Sequence, residues 1–148
     1  MSSKPNILVV CIHNSARSQM AEEYIRKYAG DIFDVESAGL EPSNLNPNVV
    51  KVLKEDGIDI SDKKTRSVFD LSEQGRDFSY VITVCSHDAH ERCPVFDGTI
   101  KRMNWPFDDP SKFEGTEEDI LNYTRKIREQ IKQKIIDFVK KYKETGSV

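Results

Sequence analysis

Four consecutive apolar residues, Ile7, Leu8, Val9 and Val10, have the pattern of a strand buried on both faces. Behind them Met20, Ala21, Tyr24, Ile25 and Tyr28 recur at the spacing of one helix face, and Gly30 is placed to stop that helix in the left-handed conformation. Residues 33–38 alternate as a second strand. After a loop at residues 41–44, Asn46 and Pro47 supply a capping side chain and a first-turn proline for a second helix. Val49, Val50, Val52 and Leu53 give it an apolar side, and Gly57 ends it. A short helix is expected around Phe69 and Leu71, a second buried strand at residues 80–84 and a further strand at residues 99–103. Residues 105–110 read as a turn-rich loop. Thr116 to Asp119 have the form of a capping box, opening a long helix whose stripe of Ile120, Tyr123, Ile127, Ile131, Ile135 and Phe138 is read as core packing against a sheet.

Strands that alternate with helices predict an α/β fold, with a four-stranded parallel sheet covered on both faces in a doubly wound, three-layer sandwich. The 148 residues suit one domain, and no internal repeat or linker divides them. Ligands of such sheets bind beyond the carboxyl ends of the strands. Cys11 and Cys85 both lie at such ends, so if their strands are neighbours the two thiols share one rim.

Composition narrows the partners. With 22 basic against 25 acidic residues the net charge is −3, which offers no chain-wide basic footprint for nucleic acid, so an anion must be held locally. No apolar run is long enough to span a membrane. Residues 1–5 lead into the first strand without a cleavable apolar segment, so a cytoplasmic protein is expected; a monomer is expected as well. The three cysteines, an odd number, fit working thiols better than a disulfide framework. The basic cluster Lys63, Lys64 and Arg66 is read as a solvated loop.

The candidate chemistry lies in Cys11, Ile12, His13, Asn14, Ser15, Ala16, Arg17 and Ser18. A strand-to-helix turn aims successive N–H groups and the positive end of a helix at one spot, and Arg17 adds a planar cation able to grip two oxyanion oxygens. The same dipole and cation favour the Cys11 thiolate, the attacking species. Small Ser15 and Ala16 permit close backbone approach, the Ser18 hydroxyl can bond to the sulfur, and Asn14 tolerates the left-handed backbone of a tight cradle.

This stretch resembles the Cys-x5-Arg-Ser anion loop of the low-molecular-weight protein tyrosine phosphatase fold, and Asp109-Pro110 resembles that fold's late Asp-Pro general-acid loop. The wider set is similar to thioredoxin-coupled arsenate reductases over nearly the whole chain. It comprises residues 15–22, Ser37-Ala38-Gly39, Cys93-Pro94 and residues 105–110. The resemblance implies that Cys11 attacks arsenate while Arg17 and the loop hold its oxygens and Asp109 protonates the departing one. It further implies that Cys85 then attacks Cys11 to release arsenite, that Cys93 takes over Cys85, and that thioredoxin, fed by thioredoxin reductase and NADPH, reduces the final disulfide. No tightly bound cofactor is implied. The polar spacer between Cys85 and Cys93 is read as a mobile segment and is one residue longer than in the staphylococcal-type enzymes, and Ala16 stands where relatives often carry an extra cysteine. Asn14, Glu22 and Ser37 fit the pattern of a potassium site in some relatives, although Arg66 near an expected acidic ligand argues against the ion.

Two other readings remain open from the residues. A phosphotyrosine phosphatase would use the loop and Asp109 and leave Cys85 and Cys93 inert. A zinc-stabilised binding module would gather Cys85, His87, His90 and Cys93, four metal-capable side chains from nine consecutive residues.

Overall fold

Asn6–Cys11 forms the central strand β1, and its residues Ile7 to Val10 are wholly buried, as an uninterrupted apolar run requires. The computed structural model describes residues 4–148; Met1 to Ser3, part of the stretch read as lacking a cleavable leader, lie outside the described residues. The chain continues through α1 (Arg17–Ala29), β2 (Asp34–Gly39), α2 (Pro47–Glu55), α3 (Val68–Glu73), β3 (Tyr80–Thr83), α4 (His87–Arg92), β4 (Lys101–Asn104), a 3-10 turn (Pro110–Lys112) and α5 (Glu117–Thr145).

All strand pairs are parallel, in the order β2-β1-β3-β4. The fold is the expected α/β sandwich. Passing from β1 to β2 runs one way along the sheet, and passing to β3 and β4 runs the other, so right-handed crossovers place helices on both faces. The direct pairing of β1 with β3 is what the site needs, because it puts the ends that carry Cys11 and Cys85 side by side.

Local chemistry explains most boundaries. Asn46 caps α2 by accepting from the Asn48 and Val49 N–H groups, with Pro47 in the first turn. Thr116 and Asp119 complete a reciprocal capping box at the start of α5, and Gly146 closes the helix with φ 72°. Along α5, Thr124, Ile127, Ile131, Ile135, Phe138 and Val139 are buried, and the helix packs on α1 and α2. Ile120 and Tyr123, expected in the same stripe, are only half-buried.

Two expectations are corrected. Gly30 follows α1 but stays right-handed at φ −65°, its N–H still reaching Arg26 O; the chain turns afterwards, where Ile32 and Phe33 both donate to Ala29 O. The spacer expected as a mobile loop is the helix α4. Ser86 caps it through the Ala89 N–H, Asp88 sits in the first turn and Arg92 in the last, so its polar residues satisfy a short helix.

Candidate active site

β1 ends at Cys11 and α1 begins at Arg17, so residues 12–16 must reverse the chain around one point. Asn14 makes the reversal with φ 54°, the one positive φ outside glycine among the described residues. The carbonyls of residues 11–15 are all engaged by groups outside the loop. Leu40, Glu41, Ser43 and Asn46 donate their N–H groups to the carbonyls of Cys11, Ile12, His13 and Ser15, and the Gln19 side chain donates to Asn14 O at 2.9 Å. With the carbonyls turned outward, the N–H groups face the cradle, where an oxyanion needs donors. Gly39 makes this close seam possible: a Cβ there would stand 2.8 Å from Asn14 N and Ile12 O.

Cys11 is buried beneath the cradle and accepts from two directions. The Asn14 N–H reaches its sulfur at 3.1 Å, and the Ser18 hydroxyl lies 2.9 Å away. Because the Asn14 amide donates to Ser18 Oγ at 2.8 Å, the hydroxyl proton is free to point at the sulfur, so two donors converge on it. The same amide donates to Ser37 Oγ, and Ser37 donates to Glu22 Oε1 at 2.5 Å. Asn14, Glu22 and Ser37, singled out in the sequence as one group, are thus brought together in a single buried chain of bonds.

Arg17 is almost fully buried. It donates to Phe107 O at 3.0 Å, and its other terminal nitrogen lies 3.5 Å from Asp109 Oδ2. The loop at residues 105–109 is fixed in turn, Trp105 and Phe107 donating to Thr83 O and Val84 O. Burial alone would push the Asp109 carboxyl up; the Ser111 hydroxyl and N–H together with Arg17 hold it below the ordinary carboxylate range. Asp108, assigned no chemistry in the sequence, accepts from Tyr123 instead.

Cys85 follows β3 and reaches toward Val10 O across the β1–β3 pairing. Burial, and then the Cys11 sulfur, push its thiol up to about 11, and the Cys93 sulfur adds to this. Asn104 fixes its carbonyl at 3.0 Å. Cys93 caps α4 and is also buried, and all three thiols are free. The four residues of the zinc reading do not converge: His90 bonds to Thr83 at 2.6 Å and His87 pairs with Glu91 at 3.0 Å. Among the described residues no group of three or more His, Cys, Asp or Glu is placed to hold a metal ion. His13 is exposed and donates from Nδ1 to Glu41 O.

The sequence profile of the low molecular weight phosphotyrosine protein phosphatase family matches residues 6–148. The chain belongs to this family and, within it, to the arsenate reductases. It is 43% identical to the arsenate reductase of Bacillus licheniformis, covering 97% of this chain and 99% of that one. A solved arsenate reductase in a phosphate-binding state superposes with a TM-score of 0.71 at 27% identity, over 93% of this chain and 98% of that one. A thioredoxin-dependent arsenate reductase of Corynebacterium glutamicum gives 0.61 at 29% identity, over 90% of this chain and 63% of that one.

In this member of the family residues 63–66 form a loop with Lys64 and Arg66 exposed, as expected, but Lys63 and the Arg66 backbone support the cradle. Lys63 Nζ lies 2.7 Å from Glu22 Oε2, which Arg26 also contacts, and the Arg66 N–H donates to Asn14 Oδ1. The Arg66 guanidinium lies beside the Asn14 group as expected, donating to Ser37 O at 3.3 Å while it pairs with Glu36. Lys63 was not legible as a site residue because its partner is distant in sequence. Burial pushes Glu22 up, but Lys63, Ser37 and Arg26 outweigh this and hold it low. A carboxylate held low contributes stability above its unfolded value of about 4.3 and loses it as pH falls through the folded one. Lys63→Met is therefore expected to cost about 1–3 kcal/mol in denaturant unfolding at neutral pH, with Arg26 limiting the loss. The gap to the parent should close as the pH falls below about 4.3; a gap independent of pH would remove Glu22 from the explanation. No described helix is long and apolar enough to cross a membrane.

Proposed function

We propose that this chain reduces arsenate to arsenite, with Cys11 as nucleophile and a relay through Cys85 and Cys93 that thioredoxin resets. The observation that supports the reading is a second buried, free thiol, Cys85, just beyond the β1–β3 pairing that ends in Cys11, with a third buried, free thiol, Cys93, at the far end of the helix that follows it. Cys85 Sγ lies 3.9 Å from Val10 O, on the strand that ends in Cys11. A phosphatase needs one thiol, whereas reduction of As(V) to As(III) needs two electrons.

The oxyanion enters the cradle against its inward N–H groups and Arg17. Its negative charge competes with Asp109 for Arg17 and favours a protonated Asp109, which then acts as the acid. The Cys11 thiolate attacks arsenic and an oxygen departs with the proton from Asp109. Cys85 then gives up its thiol proton to the departing arsenite as its sulfur attacks the Cys11 sulfur; the S–As electron pair stays with arsenic, and arsenite leaves. Cys93 attacks Cys85, Cys11 departs as a thiolate, and the Cys85–Cys93 disulfide remains for a dithiol protein. In this reading no tightly bound cofactor takes part. Positive charge at Glu22 comes from Lys63 and Arg26, so a potassium ion at Asn14, Glu22 and Ser37 is not required.

The test is an assay in which NADPH oxidation is coupled through thioredoxin reductase and thioredoxin to arsenate. NADPH consumption strictly dependent on arsenate and on thioredoxin is expected. Arsenate reduction that proceeds equally without thioredoxin would replace the proposed donor, and no reduction at all would overturn the activity. The loop and Asp109 alone suffice for slow hydrolysis of an aryl phosphate, which is the second reading of this site.

A further inference from the structure

Cys93, like Cys85, is a thiol that burial keeps protonated. It is 4% exposed, its sulfur makes only a 3.6 Å approach to Pro94 O, and burial pushes it up to about 11. The exchange assigned to it above needs a thiolate.

The ionisable groups about it leave one candidate to supply the charge. Cys85 is a neutral thiol pushed up in the same way. His90, on the same helix, gives its ring to Thr83 and is held low by burial and by Arg102. Arg92 turns away to Glu41 at 3.2 Å. Arg102, on β4, remains. Its Nη2 donates to His90 O at 2.8 Å and to Cys93 O at 3.4 Å, capping the end of α4. Its Nε is buried and has no acceptor. Of the influences on the Cys93 thiol, Arg102 supplies both that oppose burial. A helix cap needs only the outer nitrogen and would not account for a buried donor left without a partner.

We infer that Arg102 is the positioning residue of the third thiol: it clamps the end of α4 through two carbonyls and presents its guanidinium as the counter-charge on which the Cys93 thiolate forms. The inference rests on the three-thiol reading. In the step it serves, Cys93 loses its proton to solvent and its sulfur forms a bond to Cys85. The Cys11–Cys85 bond breaks, and its electron pair leaves on Cys11.

The experiment follows one turnover with arsenate in the full chain. Samples are quenched in acid and mapped by mass spectrometry for the Cys11–Cys85 and Cys85–Cys93 disulfides across a range of pH. Arg102→Met is expected to move the inflection for conversion of the first disulfide into the second upward by about one pH unit, slowing it about tenfold at neutral pH. Arg102→Lys, which keeps the charge, is expected to restore most of the rate and the inflection. An unchanged inflection in Arg102→Met would overturn the inference, including the case in which the rate drops equally at every pH, which marks a merely structural role. Failure of the underlying reading would show separately, as a parent protein that never forms the Cys85–Cys93 disulfide.

Discussion

Cys11→Ser is expected to abolish arsenate reduction and any hydrolysis of aryl phosphate together, by about four orders of magnitude or more. A serine hydroxyl is not ionised at neutral pH and is a far weaker nucleophile toward arsenic or phosphorus than a thiolate. The substitution is nearly isosteric, and the Asn14 N–H and Ser18 hydroxyl that now face sulfur can face oxygen instead. The cradle should therefore survive. Inorganic phosphate binding, measured by calorimetry, is expected to persist in the variant while both activities vanish. Retention of either activity would mean that the nucleophile lies elsewhere.

The second large effect separates the two later thiols. With Cys93→Ser, arsenate is expected to yield one arsenite per chain and then stop, leaving a Cys11–Cys85 disulfide that thiol counting and peptide mapping reveal. With Cys85→Ser no arsenite is expected to leave, because nothing adjacent can attack the Cys11 sulfur while arsenic is bound to it. The position of Cys85 underlies this difference, since it stands across the β1–β3 pairing from Val10, next to the residue that ends β1. Steady turnover at the parent rate in either variant would defeat the relay. Aryl phosphate hydrolysis should survive in both, because Arg17, Asp109 and the cradle do not depend on these thiols.

What the sequence made legible was local in cause. The apolar run before Cys11, the Asn46-Pro47 start and the Thr116 capping box each act over a few residues, and each stands where its spacing placed it. The cradle and its cysteine were readable for the same reason. The supports of the cradle were less so. Lys63 and the Arg66 N–H meet Glu22 and Asn14 only because the chain folds back, and a basic cluster in a loop carries no mark of that. The helicity of α4 was hidden in a polar segment whose cap, Ser86, is equally at home in a turn. Gly30 was misjudged because a glycine after a helix permits the left-handed state without requiring it. Arg102 gave no signal at all, since an arginine on an edge strand is ordinary.

The strip at residues 40–46, whose amides take the carbonyls of the anion loop, gives the molecule two independent handles on one property. Residues 11–18 decide which chemistry occurs, while the strip behind them decides whether their amides converge. Changes there, by insertion, by proline in place of a donating residue or by a partner that pulls the segment aside, would alter anion affinity with every reacting group still in place. The strip is therefore where selection or design could tune the grip on an oxyanion without rewriting the reaction.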